Sequence, residues 1–150
     1  MSEKRPNSRE ARAGSARSAA IIEQLAQPLR LAYQSPRAVR IVMAIRLIAL
    51  CAQNGRDPVG ELTCQIGSVP AARAVLELAD CAGQAWPENV QVFKPCCCMV
   101  SPDENTFVGM INAALAGDRA AFTRTIEGFI SRNQHDRLYA HAVEAVALLP

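Results

Sequence analysis

From Val39 to Ala52 the chain runs for fourteen residues in which, past Arg40 near the start, the only polar side chain is Arg46. Wound into a helix, Val39, Ile41, Val42, Met43, Ile45, Leu47, Ile48 and Leu50 leave no wide polar face, and a helix apolar on all sides has to be buried. The stretch falls short of the roughly 20 residues that cross a bilayer, and a charge at its centre is expensive in lipid, so no membrane partner is expected. It is read as the central rod of a core or the seam of an oligomer. Ser35 and Pro36 mark its start as N-cap and first helical residue, and Gly55 suits its left-handed end. Arg46 then needs a partner, because an unpaired buried charge is costly. Glu61, Glu77, Asp80 and Glu144 are the candidates, and an ion pair is the expected role rather than an anion site.

A chain of 150 residues fits one ordinary domain with a real core. Its apolar half is carried by Ala, Leu, Ile and Val, with few aromatics, and Ala and Leu are the strongest helix formers. Residues 1–17 are polar, without apolar periodicity, and read as a flexible basic arm. Residues 18–150 read as a single helical domain. The fold expected is all-α, a compact bundle of five to six helices with one irregular cysteine-bearing loop. A first helix is expected from Ser18 to Tyr33, with Pro28 kinking or ending it early, and a second over the rod to Asn54. A third starts at Asp57-Pro58 and stops near Gly67. Ser68 caps a fourth that continues to Gln84. Residues 85–100 break the pattern, and Val90, Val92 and Phe93 suggest a short extended segment with no partner strand in the chain, which leaves pairing with a second copy open. Ser101 to Glu104 form a capping box, Ser-x-x-Glu, with Pro102 at the first helical position. That helix stops at Gly117. Asp118 caps another, which presents Phe122, Ile126, Phe129 and Ile130. The last runs from Asp136 to Leu149 with Leu138, Tyr139, Ala142, Val143, Val146 and Leu149 inward. Short connections make these three antiparallel neighbours.

Net charge is +2, but residues 1–56 hold ten basic and three acidic groups, and residues 57–150 six basic and eleven acidic ones. The two halves therefore suit each other, within one subunit or across a homodimer. A weaker alternative is an anionic partner, nucleic acid above all, on the basic half. No apolar signal core precedes Glu23, so a cytoplasmic, reducing location is expected.

The chemistry-bearing feature is the run Cys96-Cys97-Cys98, just before the Ser101 helix start and beside Lys94. Positive potential at a helix N-terminus favours thiolate, the form that binds soft metals and reacts with oxidants. In an extended segment Cys96 and Cys98 share one side. They are the expected metal ligands with Cys97, and Cys81, His135 and His141 (or Cys64) are further ones, for zinc or copper(I). No Cys-x2-Cys pair of the structural-zinc kind occurs, and His135 and His141, six apart, do not share a helical face. The competing expectation is packing, since free cysteine behaves as a small hydrophobe. Cys51, Cys64 and Cys81 are read that way. His135 beside Asp136 is read as a solvent-facing cap histidine, and Trp86 as packing a loop onto the helices. No nucleophile–base order marks an enzyme.

Around Lys94-Pro95-Cys96-Cys97-Cys98-Met99, followed by the Ser101 to Glu104 helix start, the sequence resembles a group of small alphaproteobacterial proteins of unknown function. In that group Pro-Arg-Met often follows the cysteines, whereas here Met99 alone does. The resemblance implies a bacterial origin and a compact helical domain, and it brings no activity. Three functions are therefore weighed: a thiol site at Cys96 to Cys98, a helical module that binds a protein partner without site chemistry, and nucleic-acid binding through the basic half.

Overall fold

The computed structural model describes residues 29–150. The arm over residues 1–17 and most of the expected first helix lie outside them. Where that helix falls on described residues the expectation fails. Leu29 and Arg30 are non-helical, and Leu31–Tyr33 forms one turn of 3-10 helix. Proline at position 28 has no backbone N–H of its own to donate, so non-helical residues just after it agree with the expectation that it would kink or end that helix early.

Six α-helices follow: α1 (Pro36–Gln53), α2 (Pro58–Ile66), α3 (Val69–Ala85), α4 (Pro102–Ala116), α5 (Arg119–Ile126) and α6 (Arg132–Leu148). Five of the starts carry a side-chain cap. Ser35, Asp57, Ser68, Ser101 and Asp118 accept from the amides of Ala38, Val59, Ala71, Glu104 and Ala121, which satisfies donors the helix itself leaves open. Proline stands in the first turn of α1 to α4, where its missing N–H costs nothing. Gly117 ends α4 at φ 65°, a left-handed conformation that only glycine adopts freely.

The apolar stretch is the central rod. No residue from Ala38 to Cys51 is exposed, and α1 packs against α2, α3 and α4 of its own chain. Helix α3 lies along α6, and α4 contacts both α5 and α6, which also touch each other. One continuous core results, from Ile41 and Ile45 through Leu78 and Phe107 to Leu138 and Val146. Among the described residues no helix is long and apolar enough to cross a membrane.

The structure corrects four details. The helix from Asp118 ends at Ile126, not beyond Phe129. Gly128, at φ 97°, turns the chain there, and Phe129 is left 38% exposed. Helix α6 begins at Arg132, four residues before Asp136, and Val143 faces outward. His135 thereby becomes helical and buried, with Nε2 2.9 Å from the Ile130 carbonyl; it is not a solvent-facing cap histidine.

Candidate functional site

The cysteines lie on the link between α3 and α4, and that link is built from the first turn of α4. Trp86, at the end of α3, stacks on Phe107 with centroids 5.0 Å apart and planes at 7°, and meets Phe129 edge-on. Its Nε1 donates to Asp103 Oδ1 at 3.2 Å. Trp86 thus packs the loop onto the helices, as its sequence context suggests. The extended residues 90–93 find no strand. Instead their alternate amides bond to consecutive acidic side chains of α4: Gln91 N donates to Asp103 Oδ2 at 2.7 Å and Phe93 N to Glu104 Oε1 at 3.1 Å. Ser101 Oγ donates to the Gln91 carbonyl at 2.6 Å. Backbone groups that a ladder would pair are satisfied here by side chains at the start of α4.

The chain then reverses at Pro95-Cys96, where Cys97 N donates to the Lys94 carbonyl at 2.9 Å, with proline in the first central position of the turn that favours it. Beyond the turn Met99 forms an isolated antiparallel bridge with Arg30. Leu31 N donates to Cys98 O at 2.9 Å and Val100 N to Leu29 O at 2.8 Å.

Beneath this loop lies Arg46, at the midpoint of α1 and 1% exposed. Its partner is Glu104, equally buried, and none of Glu61, Glu77, Asp80 or Glu144. Nε donates to Glu104 Oε1 at 2.6 Å and one Nη to Oε2 at 2.9 Å. The remaining donors reach the loop backbone: Cys97 O at 2.6 Å, Met99 O at 2.6 Å and Lys94 O at 3.3 Å. All five guanidinium N–H groups are used. Glu104 accepts in addition from Ser101 N at 2.8 Å and from Phe93 N, so each carboxylate oxygen takes two bonds. Among the described residues no buried side-chain N or O atom lacks a partner. Burial alone would push the Glu104 carboxyl up. The bonds from Arg46, Ser101 N and Phe93 N outweigh that and hold it below its ordinary value. The hydrogen bond to Glu104 in turn raises Arg46.

This frame fixes the backbone on both sides of the cysteines and leaves the side chains free. Cys96 and Cys98 are exposed and Cys97 is half-buried; all six cysteines are free thiols. The positive end of α4 is already occupied by its own first-turn carboxylates, Asp103 and Glu104. Cys64, read as core from the sequence, is exposed on α2. It lines a groove of about 680 Å³ with Met43, Leu47, Glu61 and Pro95, the neighbour of Cys96. Cys51 and Cys81 are core residues, and burial raises both thiols.

Of the further ligands considered, Cys81 is sealed in the core and His135 bonds Ile130. His141 stands with Glu77 of α3 and Glu144 of α6. The donor atoms of these three lie within 4.8 Å of one another, and no other such group of three His, Cys, Asp or Glu occurs among the described residues. The i, i+3 spacing of His141 and Glu144 was the available sequence signal; that α3 would bring Glu77 to them was not readable from spacing. No protein-family model matches this chain, and neither a curated protein nor a solved structure matches it.

Proposed function

We propose that the chain is a thiol-presenting module whose Cys96, Cys97 and Cys98 bind a soft transition metal ion, copper(I) or zinc. The observation that carries the reading is the clamp. The carbonyls of Lys94, Cys97 and Met99 are held by one buried guanidinium, while the Cys96 and Cys98 side chains are left exposed. The three sulfurs are not gathered within 4.8 Å of one another in this fold, so an ion would draw the side chains together, and a fixed backbone leaves only those side-chain rotations to be ordered. Thiols are the soft donors that select copper(I) and zinc over magnesium or calcium. The same exposed thiols are open to oxidants, and oxidation would remove the donors.

The test is competition titration of the reduced protein with copper(I) and with zinc, beside a variant in which Cys96, Cys97 and Cys98 are all serine. The wild type is expected to take up copper(I) that the variant does not, and more zinc than the variant. Equal uptake by the two proteins, or none by either, overturns the reading.

A second reading, a protein-interaction module, is favoured by the groove of Met43, Leu47, Cys64 and Pro95, which is mainly apolar and open at the surface. It predicts that the triple serine variant keeps its partner, and that a charged residue in place of Leu47 loses it.

A further inference from the structure

The helix pair α3–α6 carries a second constellation of metal-binding side chains, distinct from the cysteines. Glu77 lies on α3, and His141 and Glu144 lie one turn apart on α6. His141 Nδ1 is 3.9 Å from Glu77 Oε2, and the three donor atoms fall within 4.8 Å of one another. Among the described residues neither glutamate forms an ion pair with Lys or Arg. Two carboxylates are thus gathered around one imidazole with no Lys or Arg in ion-pair contact with either. Glu144 also stands one turn before the C-terminal end of α6, and the last turn of that helix holds no basic residue. A helix C-terminus disfavours a carboxylate and favours a cation.

We propose that Glu77, His141 and Glu144 form a divalent transition-metal site, with zinc as the fitting ion, that clips α3 to α6. An imidazole nitrogen selects zinc and its neighbours over magnesium or calcium. Zinc takes His nitrogen and carboxylate oxygen at about 2.0–2.2 Å, and three protein ligands leave its fourth position to water. Tetrahedral donors at that range stand roughly 3.4 Å apart, so the 3.9 Å pair closes by a small rotation of side chains. Glu77 and Glu144 are exposed and free to make it, while half-buried His141 gives the fixed point. Two carboxylates and one divalent ion form a neutral set, which removes the repulsion between the glutamates. The donors are nitrogen and oxygen only, so the site stands or falls independently of the cysteine loop.

The experiment uses untagged full-length protein with its accessible thiols blocked by iodoacetamide. Zinc is titrated by calorimetry, and cobalt(II) replaces it for spectroscopy. One equivalent of zinc is expected to bind and to raise Tm, and cobalt should give weak d–d bands without sulfur-to-metal charge transfer. Glu77→Gln and Glu144→Gln, both at exposed positions, should keep the metal-free Tm. Each should weaken zinc by at least roughly 10- to 100-fold, the cost already seen when groups that merely orient a ligand are lost. Absence of zinc binding, or affinity unchanged in both glutamine variants, overturns the proposal. Sulfur charge transfer in unblocked protein that vanishes on blocking, with no binding left, also overturns it and assigns the metal to the cysteines.

Discussion

Arg46 and Glu104, fifty-eight residues apart, share two hydrogen bonds and use the rest of their capacity to hold the backbone from Phe93 to Ser101. A buried ion pair of this kind is not a large net source of stability, because desolvation offsets much of the attraction. Its effect is to make a loop without secondary structure adopt one shape.

Breaking the pair from one side is therefore costly. Glu104→Ala leaves a buried guanidinium without its counter-charge, and a loss of about 3–5 kcal/mol is expected. Replacing both partners, as Arg46→Met with Glu104→Leu, should recover part of that loss while releasing the loop. Urea denaturation of the three proteins measures it; a single Glu104→Ala variant within about 1 kcal/mol of wild type would contradict the central place given to the pair.

Acid should weaken the fold through the same group. Glu104 has a lower pKa folded than unfolded, so the unfolded chain binds its proton first as pH falls. Its contribution is complete above the ordinary carboxylate value and declines from about pH 5 downward, until the folded carboxyl is protonated as well. Thermal unfolding followed against pH should show this acid limb, and Glu104→Gln should flatten it. An identical slope in the two proteins would assign the acid sensitivity elsewhere.

Thiol reactivity should sort by position. Cys64, Cys96 and Cys98 are exposed and should react with a chromogenic disulfide reagent in the native state. Cys97 should follow more slowly, and Cys51 and Cys81 only on unfolding, since both are sealed and burial disfavours their thiolates. Peptide mapping after timed alkylation reads each cysteine; rapid native labelling of Cys81 would contradict the packing of α3.

The approach of α4 to α5 gives a sharper packing test. A Cβ at Gly109 would lie 2.9 Å from Thr125 Cγ2, and Thr125 is held by its hydroxyl to the Ala121 carbonyl at 2.9 Å. Gly109→Ala gains about 1 kcal/mol of helix propensity but overpacks this contact, at a cost of about 1–3 kcal/mol, so the net change should be destabilising. In a Thr125→Ser background the offending methyl is gone, and the same alanine should stabilise. Four melting curves decide whether the sign reverses.

Most of the helical frame was readable because its signals are local. Ser35, Asp57, Ser68, Ser101 and Asp118 each announce a start within three residues, and the all-round apolar character of Ile41 to Leu50 announces burial. The partner of Arg46 was not readable, for an instructive reason. In Ser101-x-x-Glu104 the glutamate already has a local task, accepting from Ser101 N, and a residue with a local task is easily taken as spent. A carboxylate has room for four bonds, and here one group caps its own helix, pairs with another and receives a loop amide. The extended segment is opaque for a similar reason: its amides find their acceptors on the side chains of Asp103 and Glu104 instead of on a neighbouring strand. The placement of His135 and of Glu77 beside His141 depends on how α6 rolls against its neighbours, which no short-range spacing encodes.

The cysteine loop follows α3 directly, yet its shape is imposed by α1 on one side and by α4 on the other. In a polypeptide made from its N-terminus, Cys96, Cys97 and Cys98 reach their surroundings ahead of the residues that build α4. Until α4 folds and docks on α1, those thiols hang on an unorganised tether, and only completion of the bundle gives the backbone that carries them one shape.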